Sequence, residues 1–171
     1  MTAATDLLTD AFQRIQGAVR RAVDGLDENA LTFRPDPAAN SIAWLVWHLT
    51  RVQDDHIADV AGTEQLWASA GWAERFGLAF DADATGYGHS SSQVGEVRGV
   101  SAADLIGYHD AVCASTVAYL ATLGDEDLER VVDTSWDPPV TLGVRLVSVI
   151  TDDLQHAGQA AFVRGIAQRA R

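Results

Sequence analysis

The stretch ITDDLQHAGQAAFVRG, residues 150–165, decides how this chain is read. The helix it belongs to carries Val149, Leu154, Ala157, Ala160 and Val163 as apolar residues, in the manner of a buried helix. Its middle nevertheless holds Asp152, Asp153, His156 and Gln159. Burying a charge costs several kcal/mol unless it is paired or bound to a metal. The polar cluster therefore has to be explained by what other helices bring to the same place.

Working outward, residues 5–26 place Leu7, Leu8, Phe12, Ile15, Val19 and Val23 on one helical face, which predicts a first amphipathic helix. RPDPAANS, residues 34–41, supplies two prolines and a capping residue, Asn40 or Ser41. The second helix then runs without a breaker to Gly62. Residues 63–77 read as a shorter, broken helix, and residues 78–100 as a mobile, irregular crossover. Ser101 with Asp104 resembles a capping box and opens a third long helix to Gly124. DEDLERVVDTSWDPPV, residues 125–140, connects through a turn or short strand, and Thr141 caps a last helix to about Ala167. These elements predict an all-α fold, a four-helix bundle with a long crossover between the second and third long helices.

Composition narrows the class. A chain of 171 residues has the length of one domain, so 1–171 is read as a single helical-bundle domain. With 47% hydrophobic and 21% charged residues it reads as globular, and no apolar run reaches the roughly 18 residues of a membrane span. A net charge of -12 would repel a phosphate backbone, which argues against nucleic acid as a partner. The opening MTAATDLLTDAFQ lacks the basic and apolar regions of a signal peptide, so the expected location is cytoplasmic. The single cysteine, Cys113, excludes an internal disulfide and a multi-cysteine zinc site. All 12 basic residues are arginine, which together with abundant Ala, Gly, Val and Asp points to a GC-rich genome.

Asp152 and His156 are four apart and so share one helical face about a turn from each other. On the second helix His48 is flanked at helical spacing by Trp44, Leu45 and Val52, which turns it toward the core. Three ligands, His48, Asp152 and His156, would leave an open position on a divalent ion, the pattern of a catalytic site. Two imidazoles and a carboxylate suit zinc first, and also nickel or iron. Asp153, three residues before His156, is the alternative third ligand, but it is rotated roughly 100° from Asp152 and is expected outside the ligand set, in a supporting or solvated place. Gln159, one turn past His156, is expected to orient a ligand or a water. The other histidines carry weaker readings. His56, with Asp55, is either at an exposed helix end or in support of the site. His89 sits in the crossover, and a place facing a substrate is expected for it only through the likeness of its surroundings, TGYGH, to a known family. His109 lies one turn before Cys113, as in a nucleophile pair, against a reading of Cys113 as a small buried hydrophobe. Arg51 and Arg164 are weighed as contacts for an anionic substrate against ordinary salt bridges, and one or two tryptophans as pocket walls.

LTFRPDPAANSIAWLVWHLTRVQDDHIADV, residues 31–60, resembles the second-helix signature of the DinB-like superfamily, which takes in the DUF664 proteins and mycothiol-dependent enzymes. DLQHAGQAAFVRG, residues 153–165, resembles its fourth-helix motif, His-x-x-x-His-x-Gly-Gln, and TGYGH, residues 85–89, a segment of the DUF664 branch. The resemblance implies a divalent metal held by His48 and His156, with Asp152 standing where the usual third histidine would be. It also implies a metal-dependent enzyme acting with a low-molecular-weight thiol on a small electrophile, and the GC-rich composition favours mycothiol over bacillithiol as that thiol. The alternatives are a metal-dependent hydrolase, or a non-catalytic, stress-related bundle protein that forms a homodimer.

Overall fold

A computed structural model describes residues 2–170. Four long helices, α1 (Ala3–Val23), α3 (Ile42–Ala61), α7 (Ala102–Leu120) and α8 (Leu142–Arg169), pack in a ring: α1 on α8, α8 on α3, α3 on α7, and α7 back on α1. Short helices fill the connections: α2 (Glu28–Thr32) before α3, α4 (Leu66–Ser69) and α5 (Trp72–Phe76) after it, and α6 (Ser91–Glu96) in the crossover. A two-stranded antiparallel hairpin, β1 (Val131–Asp133) with β2 (Val140–Thr141), leads into α8. The architecture is the expected all-α bundle with its crossover between the second and third long helices. Among the described residues no helix is long and apolar enough to cross a membrane.

The boundaries follow local chemistry. Ser41 accepts from the Trp44 N–H at the start of α3, and Gly62 ends that helix in the left-handed region at φ 68°. Ser101 and Asp104 form the expected capping box on α7, and the Thr141 hydroxyl caps α8. The broken helix at 63–77 resolves into α4 and α5, separated at Gly71. Two expectations fail here. The first helix ends at Val23 and the third at Leu120, short of Leu26 and Gly124, while Asp27 caps an unforeseen α2. The crossover is less irregular than expected: a capping box of Ser90 and Gln93 starts α6, and Val94, Val97 and Val100 are buried at a spacing of three.

One turn of α8 is inverted relative to the sequence reading. Leu154 is 50% exposed, whereas Asp153 is fully buried beneath it. The buried row of α8 runs Leu142, Leu146, Val149, Asp153, Ala157, Ala160, and helical geometry puts position 153, not 154, on that row. Burial, and then the charge of Asp152, push the Asp153 carboxyl well above the usual carboxylate range. It is therefore not solvated, and its charged form is disfavoured.

Helix α3 is the centre of the molecule, buried on nearly every side, and full burial of each Leu, Ile or Val there contributes about 1.5–3 kcal/mol. It also carries the Arg51 guanidinium with no exposed surface. Arg51 donates to the Ala84 carbonyl (3.1 Å), the Ala82 carbonyl (3.4 Å), Gln65 Oε1 (2.8 Å) and the Tyr108 hydroxyl (3.4 Å). It lies 3.7 Å from Asp54 and stacks over Trp67. Asp54 in turn accepts from the Leu66 and Trp67 N–H groups at the start of α4 and from the Tyr108 hydroxyl. Arg51 thus belongs to the scaffold and meets no substrate. Arg164 is likewise engaged, donating to the Arg21 and Asp24 carbonyls at the end of α1.

His109 and Cys113 form no nucleophile pair. The Thr50 hydroxyl donates to the Val46 carbonyl, so its oxygen accepts from His109 Nδ1 (3.2 Å), and His109 Nε2 sits buried without a hydrogen-bond partner among the described residues. Burial lowers His109 to about 4 and raises the Cys113 thiol to about 11, with Cys113 turned to the Phe12 carbonyl. A fully buried imidazole with its folded pKa lowered from 6.5 to about 4 leaves stability intact above 6.5 and removes it as pH falls toward 4. The loss is about 3 kcal/mol. The His109→Asn variant, which keeps the donor to Thr50, should lose distinctly less stability than wild type between pH 6.5 and 4, measured as urea midpoints at each pH. Parallel curves would contradict this account.

Candidate metal centre

The two longest-range partners of the site come from α3 and α8, which pack side by side. Asp152 and His156 stack one turn apart on α8, with Asp152 Oδ1 3.5 Å from His156 Nε2. His48 reaches across from α3, its ring centroid 4.8 Å from that of His156 and the planes 72° apart. One ligand atom from each of His48, Asp152 and His156 falls within 4.8 Å of the others. The structure brings the three sequence-predicted residues to one point, and it turns Asp153 away from them.

Each imidazole is oriented through its other nitrogen. His48 Nδ1 donates to the Thr85 carbonyl at 2.5 Å, and His156 Nδ1 donates to Gln159 Oε1 at 2.9 Å. Both bonds commit the hydrogen to Nδ1 and leave the Nε2 lone pairs free to converge. Gln159 has the orienting place expected of it. Trp44 stacks on His48 (4.6 Å between centroids, 15° between planes) and meets the edge of His156. The Thr85 carbonyl reaches His48 because residue 86 is glycine: φ there is +94°, and a Cβ would lie 2.8 Å from His48 Nδ1 and 3.0 Å from Trp47.

The electrostatics are those of a cation site. Burial lowers the pKa of His48, outweighing the Thr85 bond, and favours the neutral ring that a metal requires. Burial works against the charged forms of Asp152 and His156 too. The attraction between the two groups across 3.5 Å, with Gln159 assisting His156, outweighs it and, with no metal bound, drives Asp152 below and His156 above their ordinary values. Asp152 Oδ2 is buried without a hydrogen-bond partner among the described residues, an acceptor that a cation would satisfy. Two imidazole nitrogens and a carboxylate are a fitting donor set for a divalent transition metal.

A cavity of about 590 Å³ opens beside His48 and Asp152. Its walls include His56, Asp55, Tyr87, Trp136 and Arg145. His56 is therefore no exposed helix end: it is half-buried, its Nδ1 accepts from Arg145 Nη1 at 2.9 Å, and burial then the Arg145 charge lower its pKa. Asp55 accepts from Gln65. His89 packs against Trp47 (5.8 Å, 23°) and Phe80, and its Nδ1 accepts from Trp44 Nε1 at 3.3 Å, so it braces the wall behind His48. Two tryptophans border the site as expected, Trp44 at the metal-facing rings and Trp136 at the cavity. Sequence reasoning passed over Thr85, Gly86 and Arg145. Arg145 could have been found, since 145, 149, 152 and 156 share one face of α8.

A family model described as mycothiol-S-transferase matches residues 7–168. The crystal structure of the conserved protein of locus from Enterococcus faecalis is similar at a TM-score of 0.89 and 31% sequence identity, covering 96% of both chains. No curated protein matches the chain.

Two outcomes follow from the geometry. Alanine at His48, Asp152 or His156 should take metal content well below one per chain, while Asp153→Asn should keep it, as measured by elemental analysis of tag-free protein. Retention in His48→Ala would refute the site, and loss in Asp153→Asn together with retention in Asp152→Ala would exchange the third ligand. Separately, Gly86→Ala should push the Thr85 carbonyl off His48 and weaken metal affinity about 10–100-fold, the usual cost of losing an orienting partner. Unchanged competition against a chelator would show that this bond does not matter.

Proposed function

The chain belongs to the mycothiol-S-transferase family, and from that premise we propose that it is a metal-dependent enzyme joining a low-molecular-weight thiol, mycothiol, to a small electrophile. The observation that carries the reading is a three-residue donor set set directly against a cavity. His48, Asp152 and His156 would hold one divalent ion, zinc first, with nickel or iron also suited to two imidazoles and a carboxylate. Three protein ligands leave a coordination position for a molecule entering from the cavity.

When bound, the ion supplies the Lewis acidity that keeps a thiol sulfur deprotonated near neutral pH, and the thiolate is the nucleophile. The residues of the chain do the rest. Thr85 and Gln159 hold the hydrogens of His48 and His156 on Nδ1, so both Nε2 atoms stay available. Trp44, stacked on His48, keeps that ring in place and excludes water from its far face. The Cys113 thiol, buried and pushed up to about 11, takes no part, so the reacting sulfur has to come from outside the chain.

The metal-loaded protein should consume mycothiol in the presence of monochlorobimane, and the rate should fall to the uncatalysed level on chelation and return with added metal. With cobalt in the site, mycothiol should add an absorption band from sulfur coordination. Turnover of ester or amide substrates without thiol would replace this reading with metal-assisted hydrolysis. Absence of both activities, with metal still bound, would make the chain a binding protein.

A further inference from the structure

The cavity beside the donor set is larger than a thiol group requires. At about 590 Å³ it falls within the roughly 300–1,000 Å³ that accommodates a whole drug-sized molecule. Its rim carries two large aromatic rings that the fold leaves uncovered, Tyr87 from the crossover at 92% exposure and Trp136 from the hairpin loop at 67%. Exposed rings from two separate segments at one cavity mouth are platforms for a flat, weakly polar face.

The polar groups tell which molecule has such a face. Arg145 is already neutralised by Asp133 at 2.9 Å and also donates to His56 Nδ1. That bond leaves the His56 hydrogen on Nε2, a donor, while the Asp55 carboxylate beside it is an acceptor only. With Asp55, Asp133 and Asp152 all nearby in a chain of net charge -12, an anionic group finds no uncompensated cation on these walls. Hydroxyl groups, which donate and accept at once, match a wall that offers both. A ring bearing many hydroxyls has an apolar C–H face for the aromatics and a polar edge for His56 and Asp55.

We propose that this cavity is a subsite for the uncharged, polyhydroxylated ring portion of the thiol cofactor, with Tyr87 and Trp136 as stacking walls and His56 and Asp55 as the hydrogen-bonding edge. The inference rests on the thiol-transfer reading for its ligand, and it makes the cavity, rather than the metal, the source of thiol selectivity. Mycothiol carries such a portion as an acylated glucosaminyl-inositol, whereas glutathione carries two carboxylates.

The test uses the metal-loaded protein and a sulfur-free probe, N-acetylglucosaminyl-inositol, in calorimetric titration. The probe should bind, and Trp136→Ala or Tyr87→Ala should weaken it about tenfold each. Both side chains are exposed, and matching circular dichroism of the variants checks that the fold is kept. In the thiol assay, the preference for mycothiol over N-acetylcysteine, which has the same thiol head without the rings, should shrink by a similar factor through KM. No probe binding, or binding that both variants leave as in wild type, overturns the subsite. Because the probe has no sulfur, its variant-sensitive binding upholds the subsite even where mycothiol is not consumed, so the two readings fail separately.

Discussion

The Arg51 guanidinium is the charge on which this end of the bundle is organised. An arginine stays protonated at any ordinary pH, so one with no exposed surface is tolerable only when its donors are met. Two of its partners are the Ala82 and Ala84 carbonyls, and this ties the crossover to α3. One residue further on, the Thr85 carbonyl arrives at His48, which sits three residues before Arg51 and therefore on the same side of the helix. The remaining partners, Gln65, Tyr108 and Asp54, fix the start of α4 and the aromatic layer of Trp67, Phe76 and Tyr108. The orientation of an imidazole in the candidate donor set is thus the last link of a chain of hydrogen bonds that begins at a buried charge.

How much of this could be read from residues alone depended on whether the signal was local. Ser41, Ser101 with Asp104, Thr141 and Gly62 each act within one turn of themselves, and each marked the boundary at which the helix begins or ends. The pairing of Asp152 with His156 was legible for the same reason. His48 could be joined to them only through its apolar neighbours and the family resemblance, since the facing of two helices is a tertiary fact. The contribution of Thr85 was invisible, because its working atom is a carbonyl that every residue has. Leu154 and Asp153 were exchanged because hydrophobicity was allowed to outvote position: the three-and-four row through Val149 and Ala157 passes through 153.

Adjacent aspartates shifted in opposite directions show how sharply a helix can partition its environment. His156 draws the Asp152 pKa down at the boundary of the cavity, and full burial, then the charge of its neighbour, push that of Asp153, about 100° around the axis, well up. The second effect depends on the first, since ionising both would place two like charges side by side, one of them without water. An acid in the core is normally a liability. Here burial favours the neutral acid over the carboxylate, and both of its oxygens lack a hydrogen-bond partner among the described residues.

The bond between Thr85 and His48 makes the crossover and the donor set two readings of a single equilibrium. Thermodynamic linkage is reciprocal: whatever factor an ordered crossover lends to occupancy of the site, occupancy lends back to the order of the crossover. Residue 87 of that same segment borders the cavity, two residues from the carbonyl that meets His48, so a molecule resting against Tyr87 would act on the segment that aligns the ring. The two ends of a cofactor would then assist each other through the protein backbone as well as through their own covalent bonds, and cooperativity within one small ligand would be built into a stretch of chain that contains neither a long helix nor a strand.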